Sequence, residues 1–356
     1  MVPLSGMNAR ERVLAAIHRQ PFDRVPTDIW ATGEVWQRLR ERFGTDAEVR
    51  AALHIDGMAG VGPAYIGPTL VAPPGENCDY WGIRTRPMAY ATGVYDEYSC
   101  HPLASATTID DLEAYPWPQA EWFDFSTVRE QALAGRRTQA VAGGYMAPFY
   151  QHNKLRGLEL SLMDPVLAPE FTHHLLRRTC DFIYAYHQRL FEAADGLIDL
   201  AQVTDDLGSQ TGPLISLALY REFYAPHHQR FIDLCRQHNV RVMHHDDGAM
   251  RDFLPDLVNM GIEILNPVQW NCPGMDAAAL KRDFGDRLAF HGGIENQRIL
   301  PFGSPAEVRA EVRHCIDSLA NDGTGYILAP CHNIQPVTPM ENIVAMYEEA
   351  WEYGRR

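Results

Sequence analysis

The chain repeats one pattern several times: a short apolar run that ends in polar residues. These runs occupy residues 138–146, 196–208, 240–248, 262–269, 288–295 and 326–335. Most of the segments between them carry apolar residues at steps of three and four, which is typical of amphipathic helices. Regular alternation of strand and helix predicts a parallel sheet with right-handed crossovers. Because polar residues gather where the strands end, we predict an α/β fold, a closed (β/α)8 TIM barrel, rather than an open sheet.

A chain of 356 residues is long for one domain but normal for a barrel with an added N-terminal segment. We expect residues 1–118 to form a helix and loop segment that caps the barrel. Residues 119–356 would form the main (β/α)8 barrel, and the two parts together would make one structural domain. The stretch from residue 63 to residue 118 is rich in Pro, Gly, Tyr and Trp, which predicts loops and short strands over the barrel mouth.

The composition limits the binding partners and the cellular compartment that we expect. Lys and Arg together number 31 against 46 Asp and Glu, a net charge of −15, which argues against binding to nucleic acid or to an anionic membrane surface. No apolar run approaches the roughly 20 residues that a membrane helix needs. The seven cysteines form no CxxC pair, which is typical of a reducing compartment. We therefore expect a cytoplasmic enzyme.

The run at residues 240–248, VRVMHHDDG, ends in two histidines and two aspartates. His245 and Asp247 lie two residues apart, so on a strand they point to the same side and are candidates to bind one cation. Near the last strand Cys331 and His332 are further candidate ligands, of which strand parity allows only one to face inward. The alternative role of His245 and Asp247 is a hydrogen-bonded pair that fixes a loop.

Polar residues at the other predicted strand ends are candidates for catalysis and substrate binding. Asp205 and Asp206 end one strand, and because they are adjacent only one would reach the lumen. We predict catalytic roles for these carboxylates and for His244. The residues predicted to bind substrate are Tyr145, Gln269, His291, Glu295 and, in the N-terminal segment, Glu34.

Several blocks of the sequence resemble the uroporphyrinogen decarboxylase-like superfamily. They include NARERVLAAIHRQPFDRVP, VTDDLGSQTGPLIS, HHDDG, HGGIENQ and PCHNIQPVTPMENI, and the resemblance runs from about Met7 to the C-terminus. It implies a (β/α)8 barrel. Members include the tetrapyrrole decarboxylase and zinc methyltransferases that move methyl groups between corrinoid proteins and thiols, amines or aryl ethers.

The resemblance favours the methyltransferase branch. The decarboxylase holds substrate carboxylates with an arginine-rich segment, and the matching residues 25–38, VPTDIWATGEVWQR, lack such a cluster. The methyltransferases bind zinc with an H-x-C pair and a cysteine near the last strand. Here His245 and Asp247 stand at the pair, and His332, next to Cys331, stands at the later cysteine.

A set of His, Asp and His would leave zinc harder and more electrophilic than thiolates do, which suits an oxygen leaving group. Our hypothesis is that the metal or a protonated His244 stabilises the departing oxygen while cobalt(I) of a partner corrinoid protein takes the methyl group. The corrinoid would arrive on a separate protein, because no D-x-H-x-x-G motif occurs in this chain. The partners are then a small methylated substrate and a corrinoid protein, with a homodimer as a further option.

Two alternatives remain open at this point. The first is a decarboxylase or other lyase, in which Asp205 or Asp206 and the histidines perform acid/base chemistry without a metal. The second is a non-catalytic subunit that docks a corrinoid protein or binds a ligand.

Overall fold

The structure is a computed structural model that describes residues 6–355. Its strands are β1 (Met58–Gly60), β2 (Ala64–Tyr65), β3 (Asn77–Cys78), β4 (Arg84–Tyr90), β5 (Gly93–Cys100), β6 (Phe123–Asp124), β7 (Ala140–Met146), β8 (Leu200–Val203), β9 (Arg241–His245), β10 (Ile264–Asn266), β11 (Ala289–Ile294) and β12 (Tyr326–Pro330).

The α-helices of the described residues fall mostly between these strands. They are α1 (Ala9–Ile17), α2 (Gly33–Phe43), α3 (Asp46–Ala52), α4 (Ile109–Glu113), α5 (Val128–Gly135), α6 (Pro148–Arg156), α7 (Leu158–Leu167), α8 (Pro169–Ala194), α9 (Leu217–Leu219), α10 (Ala225–Gln237), α11 (Leu254–Met260), α12 (Ala277–Phe284), α13 (Ile299–Phe302), α14 (Pro305–Leu319) and α15 (Met340–Tyr353).

The main sheet is parallel and follows chain order, β1-β7-β8-β9-β10-β11-β12. Strands β10, β11 and β12 are buried at every residue, because side chains fill the lumen on one face and helices cover the other. This arrangement explains why they read as nearly continuous apolar runs in the sequence. The predicted α/β barrel architecture is confirmed in its strand order.

An extended segment takes the eighth place in the ring without being a regular strand. The backbone N–H of Asp28 donates to the carbonyl of Leu328, and the N–H of Leu328 donates to the carbonyl of Pro26, each at 2.9 Å. On the other side the N–H of Gly57, just before β1, donates to the carbonyl of Thr27 at 3.0 Å. The seven strands are therefore joined into a ring by hydrogen bonds of this segment.

The N-terminal part of the chain contributes to the barrel itself, which differs from the cap expected for residues 1–118. Strand β1 and the segment around Thr27 belong to the ring. What lies outside it is the antiparallel sheet β3-β4-β5 and the pair β2-β6. Strand β1 has three residues, too few to show a period in the sequence, so pattern reading missed it.

One continuous apolar core runs through the described chain, from Val13 in α1 to Ala350 in α15. The N-terminal helix and the last strand thus pack into the same core. Among residues 6–355, no helix combines the length and the apolar character that are needed to cross a bilayer.

Candidate metal centre and active site

Three side chains meet at the carboxyl rim of the barrel: His245, Asp247 and His332, which we call the ligand cluster. One donor atom from each lies within 4.8 Å of the other two. His332 Nε2 is 3.8 Å from Asp247 Oδ2. Strands β9 and β12 are parallel members of one ring, so the residues that follow them emerge on the same side. The structure thus brings together three of the four residues that the sequence suggested as ligands.

Cys331 is the predicted ligand that stays outside the ligand cluster. Its thiol is buried and donates to the carbonyl of Val268 at 3.3 Å, and burial raises its pKa well above the ordinary value. Adjacent residues of an extended chain point to opposite sides, so the side chain of His332 points away from that of Cys331. Of these two neighbours His332 is the one in the ligand cluster.

Asp206 stands beside the ligand cluster. Its Oδ1 lies 3.9 Å from His245 Nε2, and its side chain is 41% exposed. Burial raises the pKa of this carboxyl to about 6, opposed by His245 and reinforced by the nearby carboxylates of Asp247 and Asp205. Asp206 is therefore the member of the aspartate pair that faces the lumen.

A chain of buried hydrogen bonds, which we call the histidine relay, holds the His245 ring. His245 Nδ1 and Asn266 Oδ1 are 2.6 Å apart, Asn266 Nδ2 and His291 Nδ1 are also 2.6 Å apart, and His291 Nε2 is 3.0 Å from Asp28 Oδ2. The amide oxygen only accepts and the amide nitrogen only donates, so the proton positions follow. In the neutral tautomers that fit these contacts, His245 carries its proton on Nδ1 and His291 on Nε2. The lone pair of His245 is thereby left on Nε2, the atom nearest Asp206.

Trp30 packs against both histidines of the relay. Its ring centroid lies 5.4 Å from that of His245 and 5.7 Å from that of His291, and its Nε1 donates to Asp28 Oδ2 at 3.2 Å. Neither Asn266 nor Asp28 was identified from the sequence. The sequence feature that could have identified Asn266 is that it is the one amide residue in the largely apolar segment IEILNPV. A buried amide requires partners, and the relay supplies them.

Asp205 is buried at the start of helix α6 and does not face the ligand cluster, contrary to its predicted catalytic role. Its two carboxylate oxygens accept the backbone N–H groups of Phe149 (3.1 Å) and Tyr150 (2.8 Å). Oδ2 also lies 2.8 Å from Nε2 of His228 on α10, in the outer layer. Asp205 therefore caps and positions the first turn of helix α6.

His244 also differs from its predicted role. The side chain is fully buried, its Nδ1 hydrogen-bonds to the carbonyl of Val203 at 2.8 Å, and its Nε2 is 3.5 Å from Asp246 Oδ2. Burial lowers its pKa to about 3, and the nearby His228 lowers it further. A protonated His244 at the leaving oxygen is therefore a wrong expectation, because the ring is neutral and is packed behind the strand.

Three of the residues predicted to bind substrate make contacts within the protein. Gln269 Oε1 accepts the N–H of Gly248 at 2.9 Å, which ties the β10 loop to the β9 loop. Glu295 is buried and accepts the backbone N–H groups of residues 297–299 at 2.7 to 2.9 Å. Glu34 accepts the backbone N–H of Val94 at 3.3 Å. His291 belongs to the histidine relay.

Tyr145 is the predicted substrate-binding residue that lines an open space. A cavity of about 540 Å³, which we call the side cavity, opens at the ends of β7 and β8. Its lining runs from the ends of β1 and β7 to helices α6 and α8 and includes Asp79, Tyr80, Trp81, Tyr145, Gln151, Lys154, Phe182, Tyr186, His187, Gln202 and Met243. A volume of this size accommodates a small organic molecule.

Comparison with known proteins places the chain in a family. The uroporphyrinogen decarboxylase (URO-D) family matches residues 89–353. The uroporphyrinogen decarboxylase of Xanthomonas axonopodis pv. citri is 30% identical over 204 residues, which cover 53% of this chain and 52% of that protein. The chain therefore spans about half the length of the first curated relatives that it matches.

Relatives named as methyltransferase and relatives named as uroporphyrinogen decarboxylase both include matches over nearly the full length of this chain. The methylcobamide:CoM methyltransferase MtaA of Methanosarcina barkeri is 24% identical over 371 residues, which cover 98% of this chain and 99% of that protein. A solved structure of a methyltransferase from Methanosarcina mazei covers 98% of this chain and 99% of its own, with a TM-score of 0.68 and 21% identity, and shares the fold. The resemblance stated from the sequence is confirmed: the chain belongs to the uroporphyrinogen decarboxylase (URO-D) family.

Proposed function

We propose that this protein is a methyltransferase, or demethylase, that moves a methyl group from a small O-methylated substrate to a corrinoid held on a separate protein. The observation that carries the proposal is the ligand cluster of His245, Asp247 and His332. It lies at the carboxyl rim, which is where barrel enzymes perform their chemistry.

The donor atoms of the ligand cluster fit zinc. Two imidazole nitrogens and one carboxylate oxygen are a donor set that catalytic zinc sites use, and a fourth position is then left for substrate. In the neutral form of His245 the histidine relay places the proton on Nδ1 and the lone pair on Nε2, which is the arrangement that a metal ligand needs. A zinc ion held there would supply Lewis acidity toward the oxygen of a methyl ether.

The ligand cluster favours an oxygen leaving group over a sulfur one. Among residues 6–355, no cysteine joins the cluster, and the Cys331 thiol is turned toward a backbone carbonyl. Without thiolate donors a metal is harder and more electrophilic, which suits an ether or hydroxyl oxygen.

The transfer breaks the bond between the methyl carbon and oxygen, and the electron pair stays on oxygen. The methyl carbon bonds to the cobalt(I) of the acceptor, which supplies the electron pair of the new bond and becomes cobalt(III), and the oxyanion takes a proton from solvent. In this scheme the chain's residues orient the reactants: the histidine relay fixes the His245 ring, and Trp30 covers its face. Side chains of the side cavity would hold the remainder of the substrate.

A corrinoid acceptor is supported by a relative that matches nearly the whole chain and whose name includes methylcobamide. The acceptor would come on another polypeptide, as the sequence predicts. A lyase is the second candidate, because relatives named uroporphyrinogen decarboxylase match from about half to nearly the whole of the chain, and Asp206 Oδ1 lies 3.9 Å from His245 Nε2. A lyase would release carbon dioxide from a carboxylate substrate with no cobalamin present.

Metal analysis of the purified protein, followed by a methyl-transfer assay, tests the proposal. We expect about one zinc per chain, lost in His245→Ala and retained in His18→Ala, which removes an exposed histidine outside the ligand cluster. The zinc-loaded protein should transfer methyl from methoxylated compounds to reduced cobalamin, and a chelator should abolish the transfer until zinc is restored. Full activity after chelation, or carbon dioxide release without cobalamin, would contradict the proposal.

A further inference from the structure

Two hydrogen-bond donors on one face of helix α6 point to a ligand in the side cavity. Gln151 and Lys154 are three residues apart and both line it. Gln151 is 8% exposed, and its Nε2 is buried without a hydrogen-bond partner among the described residues. Lys154 Nζ makes no hydrogen bond within residues 6–355, and its nearest carboxylate oxygen, on Asp79, is 3.9 Å away. A buried donor without an acceptor is costly, so Gln151 Nε2 calls for an acceptor from outside the chain, and the half-buried ammonium of Lys154 adds a positive charge on the same face of α6.

The other charged groups around the side cavity do not fill this role. Asp79 Oδ1 already accepts the backbone N–H groups of Trp81 (2.9 Å) and Ile83 (3.0 Å). His187 uses both ring nitrogens within the fold, since Nδ1 hydrogen-bonds to the Ile183 carbonyl and Nε2 accepts the N–H of Tyr145. Asp79 Oδ2 makes a long ion pair with Lys154 Nζ at 3.9 Å, beyond hydrogen-bond distance, so the donors of Gln151 Nε2 and Lys154 Nζ remain unused within residues 6–355.

The wall opposite these donors is aromatic. Tyr80, Trp81, Phe182 and Tyr186 all line the side cavity. The Trp81 and Phe182 ring centroids are 5.0 Å apart, at nearly a right angle, and Tyr80 packs against Phe182 at 6.1 Å. Such surfaces favour a flat, unsaturated ligand.

The side cavity lies on the same face of β9 as His245. Met243 lines it and lies two residues before His245 on β9, on the same face of the strand. Tyr145 lines it as well, and the carboxylates of Asp205 and Asp206 are close enough to raise the pKa of its phenol after burial has done so. A molecule anchored at α6 would therefore extend toward the rim where Asp206 and His245 meet.

We propose that the side cavity binds a flat, single-ring molecule with one anionic oxygen group, a carboxylate or phenolate, which Lys154 and Gln151 hold while its methylated oxygen faces the ligand cluster. This assignment rests on the proposed function and names its substrate class. A single lysine suits one anionic group, whereas a tetrapyrrole with eight carboxylates would need many cations.

The sequence offers a direct probe, because Lys154 and Lys281 are its two lysines. Protein labelled with ¹³C at lysine Cε should give two side-chain signals. Titration with 4-methoxybenzoate should shift the Lys154 signal saturably and leave the Lys281 signal in place, since Lys281 is paired with Asp322 at 3.0 Å elsewhere. Lys154→Met should weaken the binding about tenfold or more, which calorimetry would measure.

Neutral and cationic ligands test whether the side cavity prefers an anionic group. Anisole should bind the wild type and Lys154→Met alike, and benzyltrimethylammonium should not displace 4-methoxybenzoate. An unmoved Lys154 signal, equal binding by Lys154→Met, or preference for the cation would overturn the assignment. The titrations use zinc-free protein without cobalamin, so failure of methyl transfer would refute the proposed function and leave this binding result standing.

Discussion

Replacing Asn266 by Ala should weaken zinc binding without removing a ligand. The substitution deletes both 2.6 Å contacts of the histidine relay, so His245 Nδ1 loses its acceptor and His291 Nδ1 loses its donor. Outer partners of metal-bound histidines are worth about 10- to 100-fold in metal affinity. Because Asn266 is fully buried, each orphaned group also costs about 1–3 kcal/mol of unfolding free energy.

Competition titration against a chromogenic chelator would measure the zinc affinity, and urea unfolding would measure stability. Asn342→Ala is the matched control, because Asn342 is equally buried and its Nδ2 donates to two backbone carbonyls elsewhere, at 2.8 and 2.9 Å. It should lose stability and keep its zinc affinity. Asn266→Asp retains the acceptor for His245 and should bind zinc more tightly than Asn266→Ala. Wild-type affinity in a folded Asn266→Ala protein would refute the relay argument.

Three further substitutions separate the roles of neighbouring residues. Cys331→Ser should keep about one zinc per chain by elemental analysis whereas His332→Ala loses it, because only the imidazole is in the ligand cluster; the reverse result would contradict this. Asp205→Asn should lower the unfolding free energy by about 1–3 kcal/mol with zinc retained, since it disturbs the acceptors of two backbone N–H groups; unchanged stability would count against a positioning role. Asp206→Asn should weaken zinc binding about fivefold or more by removing a negative charge 3.9 Å from His245 Nε2, and equal affinity would exclude that influence.

The strand ends were predictable because period and polarity are local properties of the sequence. A parallel strand buried on both faces reads as an apolar run, and the polar residues that follow it must lie at the rim. This logic places His245, Asp247 and His332 on one side of the barrel before any coordinates are known. The structure adds the distances, which bring their donor atoms within 4.8 Å of one another.

The sequence could not predict which way each side chain of an adjacent polar pair points. Alternation says that one of Asp205 and Asp206 faces the lumen, but the choice depends on where the strand ends and on the contacts beyond it. The same uncertainty applied to His244, which packs behind the strand next to the carbonyl of Val203. Asp28 was missed for a different reason: its partner, His291, is 263 residues away in the chain, and long-range pairing leaves no local pattern.

The ligand cluster is asymmetric in a way that bears on how substrate arrives. The side chain of His245 is 13% exposed and is held by the relay and by Trp30, whereas that of His332 is 44% exposed. A fixed ligand loses little freedom when a metal binds, so His245 would be the ligand that positions a bound ion. On the proposed function, the exposed side of the cluster, between Asp206 and His332, would be the face open to a bulky acceptor. A small substrate in the side cavity, on the Met243 and Tyr145 side, would approach from a different side and would not compete with the acceptor for the same opening.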